Sequence, residues 1–173
     1  GAGRSHQTFT STRELLMKAT RFSLLVNGKR REFSADPDAT LLTALRESLA
    51  ITSPKRGCNQ GVCGSCTVMV NGQPQRACLT LAATCEGKAI TTVEGFHDDP
   101  LMKVLQDQFQ RCGAVQCGFC TAGVLISAYK LLSEVQDATA ADVRAGLSGN
   151  ICRCTGYRKI LDGVLGAAQE ARS

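Results

Sequence analysis

The sequence predicts an α+β fold, in which a β-rich domain over residues 21–95 precedes an all-α four-helix bundle over residues 96–173. Two observations lead to this division. The first part contains two Asn-Gly pairs, Asn27-Gly28 and Asn71-Gly72, each flanked by short apolar segments in the manner of β-hairpins. After Gly95, apolar residues instead recur at helical spacing in four successive segments.

The first domain is expected to contain a hairpin, a helix, a long loop, a second hairpin and a closing strand. Asp38 or Thr40 can cap the helix, whose leucines at 41, 42, 45 and 49 share one face. The strands are expected over residues 22–26, 29–33, 67–70, 75–78 and 89–93. This order of elements is that of a plant-ferredoxin-like β-grasp.

The second domain is expected to contain four helices that pack on one another. Pro100 is favoured in a first helical turn, and Thr139 with Asp142 has the spacing of a cap. The third helix is expected to stop at residues 148–150. We interpret the apolar stripes as core positions: Leu101, Val104, Leu105, Phe109, Val124, Leu125, Ala128, Leu131, Leu132, Val143, Leu147, Ile160, Leu161, Val164, Leu165 and Ala168.

A glycine-rich cysteine loop over residues 57–66 dominates the first domain. Cys58, Cys63 and Cys66 have C-x4-C-x2-C spacing, and Cys78 follows alone. This is the plant-type spacing for a 2Fe–2S cluster. The glycines let the chain curl around the metal and turn backbone N–H groups toward the sulfurs. Zinc is the alternative, but zinc sites usually carry their cysteines as two C-x2–4-C pairs, so the spacing favours the cluster.

Two more cysteine pairs lie in the second domain. Cys117 and Cys120 precede the second helix, and Cys152 and Cys154 precede the fourth. Free N–H groups and the positive dipole end at a helix N-terminus favour a negatively charged cluster. The pattern C-x2-C…C-x-C is not the plant-type spacing, so the spacing alone leaves both a cluster and zinc open.

Composition supports metal-bound thiolates in a reducing compartment, and the cytoplasm is the expected location. The net charge of +5 counts all ten cysteines as neutral. Two oxidised clusters with four thiolates each would bring it to about +1, so no nucleic-acid binding is expected. A disulfide framework is the alternative, but the Cys-x-Cys pair is awkward for it and no secretory signal is visible. No apolar run approaches the roughly 18 residues of a membrane span.

The N-terminal residues and two further cysteines lie outside the motifs. Residues 1–20 are rich in Ser and Thr and are expected to form an N-terminal extension, disordered or added for expression ahead of Met17. Capping-box spacing at Ser11 allows a short helix over residues 12–18. Cys85 and Cys112 belong to neither motif and are expected to be small buried apolar residues.

Residues 21–173 resemble the small iron–sulfur subunit of the xanthine oxidase family of molybdenum hydroxylases. Three segments carry the resemblance: GCNQGVCGSCTV at residues 57–68, QCGFCTAG at 116–123 and GNICRCTGY at 149–157. The resemblance implies two 2Fe–2S clusters and no catalytic residue on this chain. The implied ligands are Cys58, Cys63, Cys66 and Cys78 for one cluster, and Cys117, Cys120, Cys152 and Cys154 for the other.

The resemblance also implies partners. A large subunit would bind a molybdenum–pterin cofactor, whose pterin would be hydrogen bonded by Gln116, and a medium subunit would bind FAD. Electrons would pass from molybdenum through the second-domain cluster and the ferredoxin cluster to FAD or another acceptor. The expected assembly is a hetero-oligomer, with a dimer of heterotrimers as one arrangement.

Because the chain ends at the helical domain, we expect the separately encoded small subunit of a bacterial enzyme rather than a fused form. Two other functions remain open on the sequence alone. One is a free-standing two-cluster ferredoxin, which would carry electrons without belonging to an enzyme. The other is a structural module that bound zinc stabilises.

Overall fold

The structure, a computed structural model, describes residues 19–172. The predicted extension over residues 1–20 lies almost wholly outside the described residues, and the predicted helix over residues 12–18 lies fully outside them. A β-sheet comes first in the described range and helices follow it. We call residues 20–91 the sheet region and residues 100–170 the helical region.

The sheet region contains a five-stranded sheet in the order β2-β1-β5-β3-β4. Strands β1 and β5 are parallel, and the other neighbours are antiparallel. Both hairpins turn at the predicted Asn-Gly pairs, where all four residues have positive φ as a two-residue type I′ turn requires. The strands are β1 (Thr20–Val26), β2 (Lys29–Ala35), β3 (Thr67–Val70), β4 (Gln73–Arg76) and β5 (Ala89–Thr91).

The closing strand is shorter than the sequence predicts. Strand β5 ends at Thr91 rather than at residue 93, and Val93–Phe96 forms a 3-10 turn. The cause is a side chain from the first hairpin: Asn27 Oδ1 accepts the backbone N–H of Thr92 at 2.9 Å, and Asn27 Nδ2 donates to the Thr92 hydroxyl at 3.0 Å. These bonds replace the sheet hydrogen bonds that a longer strand would make.

The predicted leucine helix also differs in its pitch. It begins as the short α-helix α1 (Leu41–Thr43) and continues as a π-helical turn over Ala44–Ser48. Thr40 rather than Asp38 caps it, since the Thr40 hydroxyl oxygen accepts the N–H of Thr43 at 3.2 Å. The predicted apolar face is confirmed, because all four of its leucines are buried: Leu41, Leu42, Leu45 and Leu49.

Four helices form the helical region of the described chain: α2 (Pro100–Arg111), α3 (Thr121–Glu134), α4 (Ala140–Gly146) and α5 (Arg158–Glu170). Helix α2 starts after Asp99, whose carboxylate accepts the N–H of Met102 at 2.9 Å. Helix α4 starts with the predicted capping box of Thr139 and Asp142. Helix α2 packs along α5, and α3 packs on strand β3. No helix in residues 19–172 is long and apolar enough to cross a membrane.

Strand β3 contributes to the apolar cores of both regions. Val68 and Val70 belong to the core of the sheet region, whereas Met69 belongs to the core of the helical region. Successive side chains of a strand point to opposite faces, so one strand can serve two cores. All four residues of β3 are accordingly buried. This shared strand holds the two cysteine-bearing regions against each other.

Candidate metal centres

Four cysteines of the sheet region form the first group. Cys58 and Cys63 lie in the loop that follows the π-helical turn, Cys66 directly precedes β3, and Cys78 follows β4. They form two neighbouring pairs, since the side chain of Cys63 acts on the pKa of Cys58 and that of Cys78 acts on the pKa of Cys66. The first pair is partly exposed and the second pair is buried. Burial raises the pKa of Cys66 to about 11.

Backbone N–H groups converge on the sulfur of Cys58. The N–H of Cys63 donates to Cys58 Sγ at 3.3 Å, and the N–H of Gln60 donates to it at 3.4 Å. These two bonds are the largest causes that lower the pKa of Cys58 from 9.0 to about 6. Gly57 leaves the space that the tight loop needs, since a Cβ there would lie 2.9 Å from Cys63 Sγ. Donors of this kind stabilise the negative charge of a metal-bound thiolate.

The second group lies at the entrances to helices α3 and α5. Cys117 and Cys120 come directly before α3, and Cys154 Sγ donates to Cys117 Sγ at 3.5 Å. Cys117 and Cys154 are both exposed, whereas Cys120 and Cys152 form a buried pair, in which the side chain of Cys152 acts on the pKa of Cys120. Burial raises the pKa of Cys120 to about 12. Each group therefore has one pair near the surface and one pair inside.

Hydroxyl groups surround Cys152. Thr155 Oγ1 donates to Cys152 Sγ at 3.1 Å, and the backbone N–H of Cys152 donates to the Tyr157 hydroxyl oxygen at 2.9 Å. Burial acts to raise the pKa of Cys152, but hydrogen bonds from Thr155 and from backbone N–H groups outweigh it, so that the pKa is lowered. Tyr157 has a left-handed φ of 67°, which turns the chain from the cysteine loop into α5.

Both groups fit a binuclear cluster. Each of its two irons takes two thiolates, so four cysteines are needed as two close pairs, and each group supplies two. The 3.5 Å between the sulfurs of Cys117 and Cys154 is close to the roughly 3.8 Å edge of a tetrahedron with metal–sulfur bonds of about 2.3 Å. No three His, Cys, Asp or Glu side chains within residues 19–172 gather around the position of a single ion.

Hydrogen bonds join the loops of the two groups directly. The N–H of Ile151 donates to the carbonyl oxygen of Cys63 at 2.8 Å. The Arg76 guanidinium donates to the Thr67 hydroxyl at 2.5 Å and to the Gly149 carbonyl at 2.6 Å. Ile151 immediately precedes Cys152. A single hydrogen bond therefore connects Cys63 of the first group to the residue next to Cys152 of the second group.

Two glycines permit this close approach of the loops. Gly64 has a φ of 74°, and a Cβ at this position would overlap the carbonyl oxygen of Gly149. A Cβ at Gly123 would in turn overlap the carbonyl oxygen of Gly64. The ring of Phe119 also crosses between the groups: a Cβ at Gly57 would lie 3.3 Å from its Cε1 atom.

The remaining sequence-predicted residues lie apart from the sulfur pairs. Gln116 is exposed on a bend just before Cys117, and its side chain has no hydrogen-bond partner among the described residues. Cys85 is buried in the core of the sheet region, and burial raises its pKa. Cys112 is partly buried at the C-terminal end of α2. In the described chain neither Cys85 nor Cys112 is hydrogen bonded to a cysteine of either group.

Comparisons with known proteins agree with two metal-binding domains. A 2Fe-2S iron-sulfur cluster binding domain matches residues 24–90, and a [2Fe-2S] binding domain matches residues 92–165. The nicotine 6-hydroxylase small subunit of Paenarthrobacter nicotinovorans is 49% identical over 82% of this chain and 86% of its own length. The nicotinate dehydrogenase small FeS subunit of Eubacterium barkeri is 42% identical over 83% of this chain and 92% of its own.

Comparison with solved structures also finds an oxidoreductase of known structure that is similar to this chain. The structure of quinoline 2-oxidoreductase from Pseudomonas putida 86 matches with a TM-score of 0.83 and 47% identity, over 89% of this chain and 96% of that chain. This chain belongs to the iron–sulfur subunits of the xanthine oxidase family of molybdenum hydroxylases. The iron–sulfur subunit consists of a ferredoxin-like 2Fe–2S domain followed by a helical region, as the sequence predicts.

As an iron–sulfur subunit of this family, the chain transfers electrons within a multi-subunit oxidoreductase. Two 2Fe–2S clusters are its cofactors, and a molybdenum–pterin cofactor and FAD on partner subunits fit the family. The predicted membership of a hetero-oligomer is confirmed. Thr155, Tyr157 and Phe119 all lie inside the three sequence motifs, but the spacing of the motifs assigns them no role. Arg76 belongs to no motif, and no local signal marks it.

Proposed function

We propose that this iron–sulfur subunit receives electrons on the side of Cys117 and Cys154 and delivers them on the side of Cys58 and Cys63. The donor would be the molybdenum–pterin site of a large subunit, and the acceptor FAD in a medium subunit or another redox partner. The observation that supports this proposal is the backbone hydrogen bond from the N–H of Ile151 to the carbonyl oxygen of Cys63. It connects the two cysteine groups, each of which has one pair of sulfurs near the surface.

We assign the eight paired cysteines as the cluster ligands. When bound, each 2Fe–2S cluster supplies one-electron redox chemistry. The pairing supports the assignment, because neighbouring sulfurs such as those of Cys117 and Cys154, 3.5 Å apart, need little movement to share an iron. The ligands would be Cys58, Cys63, Cys66 and Cys78 in the sheet region and Cys117, Cys120, Cys152 and Cys154 in the helical region.

Exposed apolar side chains beside each outer pair support two partner surfaces. Val115, Phe119 and Ile151, which are 44%, 44% and 47% exposed, lie within two residues of a cysteine of the second group. Near the first group, Val62 is 57% exposed and Leu79 is 63% exposed, and Leu79 packs over Gly61. Scattered exposed apolar residues are ordinary, but sets of them around a functional site are typical of surfaces that a partner covers.

We further propose that Gln116 contacts the molybdenum cofactor across the subunit boundary. Its amide carries two donors and an acceptor oxygen, and it stands exposed beside Cys117 with no hydrogen bond inside the described chain. A polar group that becomes buried at an interface needs a partner there. The pterin ring of the cofactor offers complementary donors and acceptors.

The domain division predicted from the sequence is part of the proposal. We place the boundary between residues 95 and 96, inside the 3-10 turn over Val93–Phe96 that follows β5 and before α2 begins. The packing of α2 on α3, α3 on α4, α4 on α5 and α5 on α2 supports a four-helix bundle in the second domain. We propose the cytoplasm as its location, because a reducing compartment keeps thiolates available for metal.

The test of the function uses the native complex with Gln116→Ala, and with Gln73→Ala as an exposed control on β4. Each complex is mixed rapidly with substrate and frozen, and EPR follows the appearance of reduced clusters. We expect Gln116→Ala to slow reduction of both clusters at unchanged iron and molybdenum content, and Gln73→Ala to behave as wild type. Wild-type rates in Gln116→Ala would limit Gln116 to a local role.

Purification under native conditions tests the subunit assignment separately. We expect the chain to elute with larger partner subunits. An active carrier that elutes alone at 18.4 kDa would instead establish the free-standing ferredoxin.

A further inference from the structure

Backbone N–H groups lower the pKa of Cys58 in the first site and of Cys152 in the second, but Cys152 also accepts a hydrogen bond from a side-chain hydroxyl. In the sheet region, backbone N–H groups donate to Cys58 Sγ. In the helical region, a side-chain hydroxyl, Thr155 Oγ1, donates to Cys152 Sγ at 3.1 Å. A backbone donor is present whatever the side chain, whereas a hydroxyl donor depends on the residue that supplies it. In the second site, therefore, replacing the side chain of Thr155 alone would remove a hydrogen bond to a sulfur.

Neighbouring bonds fix the direction in which the Thr155 hydroxyl points. Its oxygen accepts the backbone N–H of Tyr157 at 3.3 Å. The hydroxyl has a single proton, which is directed at Cys152 Sγ. The Tyr157 hydroxyl in turn accepts the N–H of Cys152 at 2.9 Å. Cys152, Thr155 and Tyr157 thus form a closed ring of hydrogen bonds around one sulfur.

The turn that carries this ring is held in a specific backbone conformation. Gly156 has a φ of 60° and Tyr157 a φ of 67°, so two consecutive left-handed residues bring the tyrosine back over the cysteine. Cys152 is only 8% exposed, so solvent water does not readily replace the hydroxyl as a donor. In such a low-dielectric setting each hydrogen bond to a charged sulfur has a larger effect.

We propose that Thr155 sets the reduction potential of the helical-region cluster by donating its hydroxyl hydrogen bond to Cys152 Sγ, and that Tyr157 positions this donor. This inference rests on the proposed assignment of Cys152 as a cluster ligand. Reduction adds one electron and increases the negative charge on the sulfurs, so the donor stabilises the reduced form more than the oxidised form. The hydroxyl therefore raises the potential, and its loss lowers it.

The experiment is a redox titration of the native complex followed by EPR, which observes each cluster separately. Thr155→Val removes the hydroxyl and keeps the shape, whereas Thr155→Ser keeps the hydroxyl. At the wild-type midpoint we expect Thr155→Val to lower the ratio of reduced to oxidised helical-region cluster by about tenfold, which corresponds to about 59 mV for one electron. We expect Thr155→Ser to stay close to wild type and the sheet-region cluster to stay unchanged in both.

Control variants distinguish the loss of the Thr155 hydroxyl from a general effect of the substitution and from loss of the cluster. Thr84→Val removes a hydroxyl that donates to the Leu81 carbonyl, and it should shift neither cluster. Where the valine variant lacks the second cluster, Thr155→Ala removes the hydroxyl without adding a methyl group and should give the same shift. An unchanged potential in the variants without the hydroxyl, or an equal shift in Thr155→Ser, overturns the role of Thr155. A wild-type complex with only one cluster signal overturns the proposed function, and this inference with it.

Discussion

The backbone N–H of Ile151 donates a hydrogen bond of 2.8 Å to the carbonyl oxygen of Cys63, and this bond joins the two cysteine loops of the chain. Arg76 reinforces the contact from strand β4 by binding the carbonyl of Gly149. Each loop therefore forms part of the surface on which the other rests. Changes at this contact should reach both clusters, although they replace no cysteine.

The close approach at Gly64 predicts a specific loss of stability. A Cβ at Gly64 would overlap the Gly149 carbonyl oxygen, while a Cβ at Gly72, which has the same φ of 74°, would meet nothing within 4 Å. Gly72→Ala should therefore carry only the left-handed backbone cost of roughly 1–2 kcal/mol. We expect Gly64→Ala to have a lower unfolding temperature than Gly72→Ala and to lose iron. Equal effects of the two substitutions would count against this contact.

The bridge made by Arg76 predicts that lysine cannot replace it. A planar guanidinium binds the Thr67 hydroxyl and the Gly149 carbonyl at once, whereas an ammonium group has a different shape and reach. We expect Arg76→Lys to cost on the order of 1–3 kcal/mol, measured by calorimetry of the iron-loaded protein. Arg158→Lys is the control, because its pair with Asp162 is exposed and worth only about 0.3–0.5 kcal/mol. An Arg76→Lys protein as stable as wild type would refute the bridge.

The carboxylate of Glu94 predicts a pH-dependent link between the first cysteine loop and the end of the sheet. It accepts hydrogen bonds from the Ser53 N–H at 3.2 Å and from the hydroxyls of Ser53 and Thr92 at 2.5 Å. Burial acts to raise the pKa of Glu94, but these bonds outweigh it and lower the pKa below its ordinary value of 4.5. The link stabilises the fold above the ordinary carboxyl pKa and is lost as the pH falls through the lowered value.

We therefore expect wild type and Glu94→Gln to differ most in unfolding temperature near neutral pH. The two curves should converge as the pH falls through the lowered pKa of the Glu94 carboxyl, where the wild-type carboxylate becomes protonated. Thermal unfolding measured across this pH range checks the expectation. A difference that stays constant down to low pH would show that Glu94 does not act through its charge.

The iron content of variants should distinguish the eight cysteines assigned as cluster ligands from Cys85 and Cys112. Cys85 and Cys112 lie outside both groups, so Cys85→Ala and Cys112→Ala should each retain about four irons and four sulfides per chain. Cys120→Ala removes half of a buried pair and should retain about two irons. Iron and labile-sulfide analysis of the purified proteins measures this. Loss of iron in Cys85→Ala or Cys112→Ala would show that the ligand sets are wrongly assigned.

The fold was predictable where the signal is local. Asn27-Gly28 and Asn71-Gly72 both form the expected turns because few other pairs adopt two consecutive positive φ values. The π-helical turn was not predictable, since leucines four residues apart can share a face at either pitch. The early end of β5 depends on Asn27, which is 65 residues away from Thr92 in the chain. No pattern within the strand itself contains that information.

The candidate metal centres were also predictable from the sequence only where the signal is local. Spacing alone identifies the cysteine loop of the sheet region, because one short loop places three sulfurs together. The second group draws its two pairs from loops far apart in sequence, and there the spacing left zinc open. The contact of Arg76 with Gly149 depends on how the folded loops meet, and the contact of Thr155 with Cys152 depends on the left-handed turn at Gly156 and Tyr157. The sequence alone therefore assigns neither residue a role.

Spin quantitation by EPR of the fully reduced native complex is the most direct measurement of whether this subunit carries two separate clusters. We expect two distinct signals, each with about one unpaired electron per chain. In the Cys63→Ser complex one signal should disappear and the other should remain, because the two sets of sulfurs lie in different regions. A single signal in the wild-type complex, or stoichiometric zinc in place of iron, would contradict a two-cluster electron path.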